Sequence, residues 1–191
     1  MKVFVCVNNY GDENRGNAGG WYYLADSSVT NTGKPFYLPE NMGRVTVSLS
    51  GIIKISRLGK LITPKFAPRY FSEMAPGLHF TLPDYKNHLR EEGLPEDPAR
   101  NFDRSLFVGD FMEFSTDKSF ELWKNGEMIR MFNFNELLVS PEDLIAEISV
   151  MNTLKMGDLL VPGLSGEVEL GIGDFLEVKT NGENAFHVKV K

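Results

Sequence analysis

The chain has 191 residues, with 20 Lys or Arg against 26 Asp or Glu and a formal net charge of −6. Its 42% apolar content can fill a core, which excludes a disordered chain, and no apolar run approaches the ~20 residues that a membrane helix needs. The acidic balance, without a Lys/Arg-dense stretch, argues against a nucleic-acid partner, and a lone cysteine, Cys6, points to a reducing, cytoplasmic setting.

Residues 2–7 read as a short apolar β run, too short and too quickly polar for a secretory leader. Two polar, glycine-rich stretches, 11–20 and 27–33, read as loops or a small lid, with a strand predicted at 21–25 and another at 35–38. Residues 44–50 alternate: Val45, Val47 and Leu49 on one face, Thr46, Ser48 and Ser50 on the other, the period of two of a half-buried strand. Gly51 interrupts it as a bulge or kink, and the alternation resumes through Ile53 and Ile55 to a turn at Leu58-Gly59-Lys60. Further strands are predicted at 77–82, 106–114, 119–124, 127–133, 158–161, 174–179 and 185–189. Asn125-Gly126 is a hairpin signal, because both residues tolerate positive φ. Helices are few. One is predicted at 84–92 with Asp84 as N-cap, and one at 140–151, where Ser140 caps, Pro141 takes the first position, and Leu144, Ile145, Ile148 and Met151 form an apolar stripe. The expectation is one β-rich α+β domain spanning 1–191, with 11–33 as a possible lid region.

The C-terminal third carries a recognisable order of motifs. Leu144-Ile145-Ala146-Glu147-Ile148-Ser149 is followed by Thr153-Leu154-Lys155-Met156-Gly157-Asp158-Leu159-Leu160 and then by Gly171-Ile172-Gly173-Asp174-Phe175-Leu176-Glu177-Val178. Each Gly-Asp pair is a turn feeding a strand. This order resembles the fumarylacetoacetate hydrolase family. Residues 101–109, Asn125-Gly126-Glu127, residues 5–10 with their closing Asn9-Tyr10, and residues 53–62 are similar to further motifs of that family in the same order. The resemblance implies a mixed β-sandwich roll with a few peripheral helices, assembled as a homodimer. It also implies hydrolysis, decarboxylation, isomerisation or hydration of small anionic oxo-acids, with Mg²⁺, Mn²⁺ or Ca²⁺ held between carboxylates and a His–Glu pair moving protons.

The departures from the family fall on its catalytic positions. Its two metal-binding glutamates, counted back from Gly59-Lys60, fall at Ser48 and Ser50, and its aspartate ligand, matched through Asp84, falls at His79. Two neutral hydroxyls and one imidazole are poor ligands for a hard divalent ion. The family lysine corresponds to Arg100, which keeps the charge but cannot act as a base, and the family histidine corresponds to Glu13. The expectation is therefore a family protein without the usual metal, acting on a small oxo-acid. Arg100 and His79 would hold the carboxylate, Glu13 would move a proton, and Tyr10, Ser48 and Ser50 would line the substrate site. Two alternatives stand beside it. One is a non-catalytic descendant serving as a ligand-binding or interaction module. The other is an active member whose Mg²⁺, Mn²⁺ or Ca²⁺ is held by acids elsewhere, such as Asp12, Glu13, Asp84, Asp103 and Asp110.

Overall fold

The computed structural model describes residues 1–11, 19–31 and 33–191. Its centre is a pair of long antiparallel strands, β4 (Val45–Ile55) and β5 (Phe71–Thr81). On one side of β4 lie β10 (Leu159–Val161), β1 (Val3–Cys6) and β2 (Trp21–Leu24); on the other side of β5 lie β6 (Leu106–Val108) and β3 (Val29–Asn31). β11 (Val168–Leu170) pairs with the start of β4, and β7 (Met112–Glu113) with β5. A second sheet runs in the order β13 (Glu183–Lys189), β12 (Phe175–Thr180), β8 (Ser119–Lys124), β9 (Glu127–Asn133). Two peripheral helices, α1 (Pro83–Glu91) and α2 (Pro141–Met151), complete the β-rich roll.

The hairpins follow from backbone chemistry. Asn125 and Gly126 both adopt positive φ (53° and 86°), the two-residue turn whose twist matches its flanking strands. Asn181-Gly182 repeats this between β12 and β13. Helix α2 starts as its sequence dictates: Ser140 Oγ accepts from the Asp143 amide at 3.1 Å, with Pro141 in the first turn. The two Gly-Asp turns are staples. Asp158, almost fully buried, accepts from the backbone amides of Lys2 (2.8 Å) and Lys155 (2.9 Å). Asp174 accepts from the Gly171 amide, at 2.8 Å, and from Asn125 Nδ2.

The fold corrects several local expectations. The strand at 44–50 is not half-buried: from Val45 to Ile53 both faces are covered. Gly51 is no bulge. It pairs in register with Pro76, and the irregularity comes later, between Lys54 and Ile55. Glycine is needed because an added Cβ would sit 2.5 Å from Phe134 Cζ and 2.9 Å from Phe120 Cε2, where rings from β8 and from the turn after β9 press onto β4. Strand β5 starts before Pro76 rather than after it. The Pro76 carbonyl accepts from the Gly109 amide, so its missing N–H faces the irregular gap between β6 and β7, where no ladder bond is required. Residues 35–38 form no strand of a sheet, though Phe36 and Leu38 bond the backbone of Lys189 and Lys191. Asp84 is not the cap of α1, which follows Leu82; its carboxylate binds Arg44 instead. In the predicted lid region 11–33, residues 21–24 and 29–31 are strands, and 12–18 and 32 lie outside the described residues.

Candidate functional site

Alternation and register together place the site. Ser48 and Ser50 share one face of β4, two residues apart. Across the ladder, Thr46 opposes Thr81, Ser48 opposes His79, and Ser50 opposes Gly77. This polar patch is continuous with an apolar one on the same face, where Ile52 and Ala75 pack with Val3, Val5, Leu106 and Val161. Gly77 marks the border: a Cβ there would meet Ile52 Cδ1 at 2.2 Å, so its absence lets Ile52 close the apolar end.

Above the polar end lies a cavity of about 230 Å³. That is the scale of a small organic acid, below the ~300–1,000 Å³ usual for larger ligands. Its walls come from distant parts of the chain: Asn8 after β1, Tyr22 on β2, Ser48 on β4, Thr81 at the end of β5, Lys86 on α1, Arg100, and the segment 164–167. That segment is tied down along its length. Ser50 Oγ donates to the Gly163 carbonyl at 2.6 Å, the Leu49 amide donates to Ser165 Oγ at 2.9 Å, and Arg130 donates to the carbonyls of Gly166 and Glu167. The Glu167 carboxylate accepts from Thr46 Oγ1 at 3.1 Å.

Arg100 is the best-positioned charge. Its Nη2 donates to Glu96 at 3.1 Å, and its guanidinium lies 4.4 Å from the centre of the Tyr22 ring. Its Nε is buried without a partner among the described residues. His79 supports it from below. The Arg100 carbonyl can only accept, so His79 Nε2–H donates to it at 3.2 Å. That leaves Nδ1 as an acceptor, buried and without a partner among the described residues. Burial pushes the His79 ring down to about 4, against a smaller opposing effect of that backbone bond, so the ring is neutral near pH 7. Burial likewise raises the Tyr22 hydroxyl above its ordinary range, and it stays protonated.

The structure thus brings Arg100, His79, Ser48 and Ser50 together at one end of one sheet face, though in different positions. Ser48 and Arg100 line the cavity. His79 is fully buried beside it, and Ser50 is fully buried with its hydroxyl committed to Gly163. Tyr10 lies elsewhere: its ring stacks on Phe132 at 4.7 Å, and its hydroxyl donates to Glu136 Oε2 at 2.7 Å. Glu13, with Asp12, falls outside the described residues. Of the other acids considered as ligands, Asp84 is bound to Arg44, which holds its carboxyl below the usual range, and Asp110 borders a different groove. Among the described residues no three His, Cys, Asp or Glu side chains converge as a metal site. Sequence reasoning missed Tyr22, Lys86 and Glu167. The alternation of His79 and Thr81 along β5 was a signal for Thr81; nothing local marked the others.

The chain matches the fumarylacetoacetate (FAA) hydrolase C-terminal family over residues 12–190. It is 25% identical over 166 residues to the oxaloacetate tautomerase YcgM of Escherichia coli (strain K12), covering 83% of this chain and 76% of that protein. It is 24% identical to the mitochondrial oxaloacetate tautomerase FAHD1 of Mus musculus, covering 83% and 75%. Among solved structures, fumarylpyruvate hydrolase from Pseudomonas aeruginosa in complex with Mn²⁺ and pyruvate superimposes with a TM-score of 0.88 at 20% identity, over 100% of this chain and 89% of that one, a likeness of fold. With the family match running over nearly the whole chain and the same fold beneath it, this protein belongs to the fumarylacetoacetate hydrolase family.

Proposed function

We propose that this chain binds a small anionic oxo-acid in the cavity beside β4 and β5 and moves protons on it, meeting the substrate's charge with side-chain cations instead of a carboxylate-bound divalent ion. One observation carries this reading: Arg100 and Lys86 line a cavity whose described walls hold a single carboxylate, Glu167. Mg²⁺, Mn²⁺ and Ca²⁺ ask for several carboxylate oxygens. Positions 48, 50 and 79 offer one open hydroxyl, one hydroxyl already donating to Gly163, and a neutral imidazole. The described residues do not fit such an ion, and the reading uses none. The named substrates of relatives, oxaloacetate and fumarylpyruvate, are small oxo-acids, which supports the substrate class.

Tautomerisation removes a proton from the carbon beside a carbonyl and delivers one to the oxygen. Negative charge builds on that oxygen, where a pre-oriented cation stabilises it most. Arg100 suits this role, since Glu96 and Tyr22 hold its guanidinium and it is always protonated. Lys86 supplies a second cation for a carboxylate, and the Ser48 and Thr81 hydroxyls are hydrogen-bonding partners. His79 acts on Arg100 through its backbone. Glu13 is the acid assigned to carry the proton. The reading extends to a homodimer, by family resemblance, and to a reducing, cytoplasmic setting, by the lone cysteine.

A second reading, a ligand-binding module without turnover, is favoured by one feature: no His–carboxylate pair lines the cavity among the described residues. Decay of the enol absorbance of oxaloacetate and of acylpyruvates, followed in EDTA, separates the two. The first reading expects EDTA-resistant turnover, lost in Arg100→Ala and Glu13→Gln. A dicarboxylate at about 100 times its dissociation constant should still stabilise Glu13→Gln by about 2.7 kcal/mol. Stabilisation without turnover in the wild type selects the second reading. A stoichiometric divalent ion in protein purified without chelator, or turnover that EDTA abolishes, overturns the metal-free assignment.

A further inference from the structure

Beyond the far end of β4 from the cavity, the connection to β5 forms a separate groove. Ser48 and Arg57 are nine positions apart in sequence, roughly 25–30 Å along an extended strand. Between Ser56 and Tyr70 the chain carries Arg57, Lys60, Lys65 and Arg69 and no acid, within a protein of net charge −6. Folding gathers Arg57, Lys60 and Arg69 around a groove of about 450 Å³, with the hydroxyl-bearing Thr63 and Tyr70 in its wall. Lys2, Arg44, Lys54, Arg90, Arg100 and Lys124 each pair with a carboxylate. None of the three cations lining the groove, nor Lys65 in the same segment, has such a partner among the described residues. Lys65 and Arg69 instead flank the Phe66 ring, at 5.9 and 4.9 Å from its centre.

The groove's frame is rigid. Gly59 and Leu154 exchange backbone hydrogen bonds of 3.0 and 2.8 Å, and the Leu61 and Ile62 amides donate to the carbonyl and hydroxyl of Ser149 at 3.0 and 2.8 Å. Those bonds hold Leu61 at a φ of 53°, a conformation a branched side chain adopts only under constraint. A Cβ on Gly59 would lie 2.3 Å from Tyr70 Cε1, so glycine is what lets the tyrosine ring lie over the turn.

We propose that this groove is a binding site for a small organic phosphate carrying at least two negative charges. Arginine forks match phosphate oxygens in pairs, and lysine adds a point charge. Cations that converge without an intervening acid repel one another until an anion joins them. The volume, about twice that of the oxo-acid cavity, leaves room for the organic part of the molecule. This site is independent of the oxo-acid reading.

The test uses the full chain in EDTA at fixed ionic strength. Pyrophosphate, ATP and adenosine are titrated by calorimetry, and amide shifts of the wild type are followed by NMR. Pyrophosphate and ATP should saturate one site while adenosine does not bind, with shifts gathered at residues 57–70. The double substitution Arg57→Glu/Lys60→Glu, and separately Arg69→Gln, should each weaken binding at least tenfold, and Arg100→Ala should leave it unchanged. Absence of saturable binding by either phosphate overturns the proposal. So do shifts gathered instead at Asn8 and Gly166, or a double variant that folds and binds as the wild type does.

Discussion

The two faces of β4 are equally buried and chemically opposite. On one, Val45, Val47, Leu49 and Ile53 belong to the main apolar core, where Phe120 and Phe134 crowd the strand so closely that position 51 must be glycine. On the other, Thr46, Ser48 and Ser50 are withdrawn from water beside His79, with a cavity left above them. Burying a polar group costs free energy unless it finds a partner. Thr46 and Ser50 have theirs, in Thr81 with Glu167 and in Gly163. His79 Nδ1 and Arg100 Nε have none among the described residues. Burial alone does not separate core from site; the unmet polar atoms beside a cavity do.

Four measurements test the contrast between the two faces, beginning with the one expected to move stability most. Leu49→Ala on the packed face should lower unfolding free energy by about 2–5 kcal/mol in urea titrations, since the lost side chain leaves a void against rigid rings. Acid should act on the polar face. The unfolded chain protonates His79 from pH 6.5 downward, whereas the folded one resists until about 4. Stability from this ring is therefore intact above 6.5 and falls between those values, by on the order of 3 kcal/mol. His79→Gln should flatten that part of the pH–stability curve, and a curve unchanged by the substitution would show that the ring is not buried neutral. Ser50→Ala should cost about 1–3 kcal/mol, because it strips the Gly163 carbonyl of its donor. Ser48→Ala should change stability by less than about 1 kcal/mol, because no hydrogen bond among the described residues depends on that buried hydroxyl, yet weaken dicarboxylate binding measured by thermal shift. A large stability loss there would assign Ser48 to the core.

Local signals carried much of the fold. Helix α2 begins at its Ser-Pro cap, and the Asn125-Gly126 hairpin lies where two positive φ angles are tolerated. Strands β3 and β11 escaped notice because each spans only three residues and exists through its pairing partners, β6 and β4. Asp84 looked like a cap by position, but Arg44, forty residues earlier, captured its carboxylate. The basic groove was equally hidden. Arg57, Lys60 and Arg69 are spaced too widely to read as a basic run, and a turn plus a short 3₁₀ segment closes the distance.

That Ser48 and Ser50 share a face follows from the amino-acid order, since strand side chains alternate with a period of two, and the family resemblance put His79 and Arg100 in their company. What these groups can do depends on contacts made in the folded chain. Folding set His79 opposite Ser48, turned Ser50 to Gly163, and drew Tyr22 from β2, Lys86 from α1 and Glu167 from the segment before β11 to the same cavity. Register, burial and the neutral state of a buried imidazole arise from contacts between segments far apart in the chain, and no local pattern encodes them.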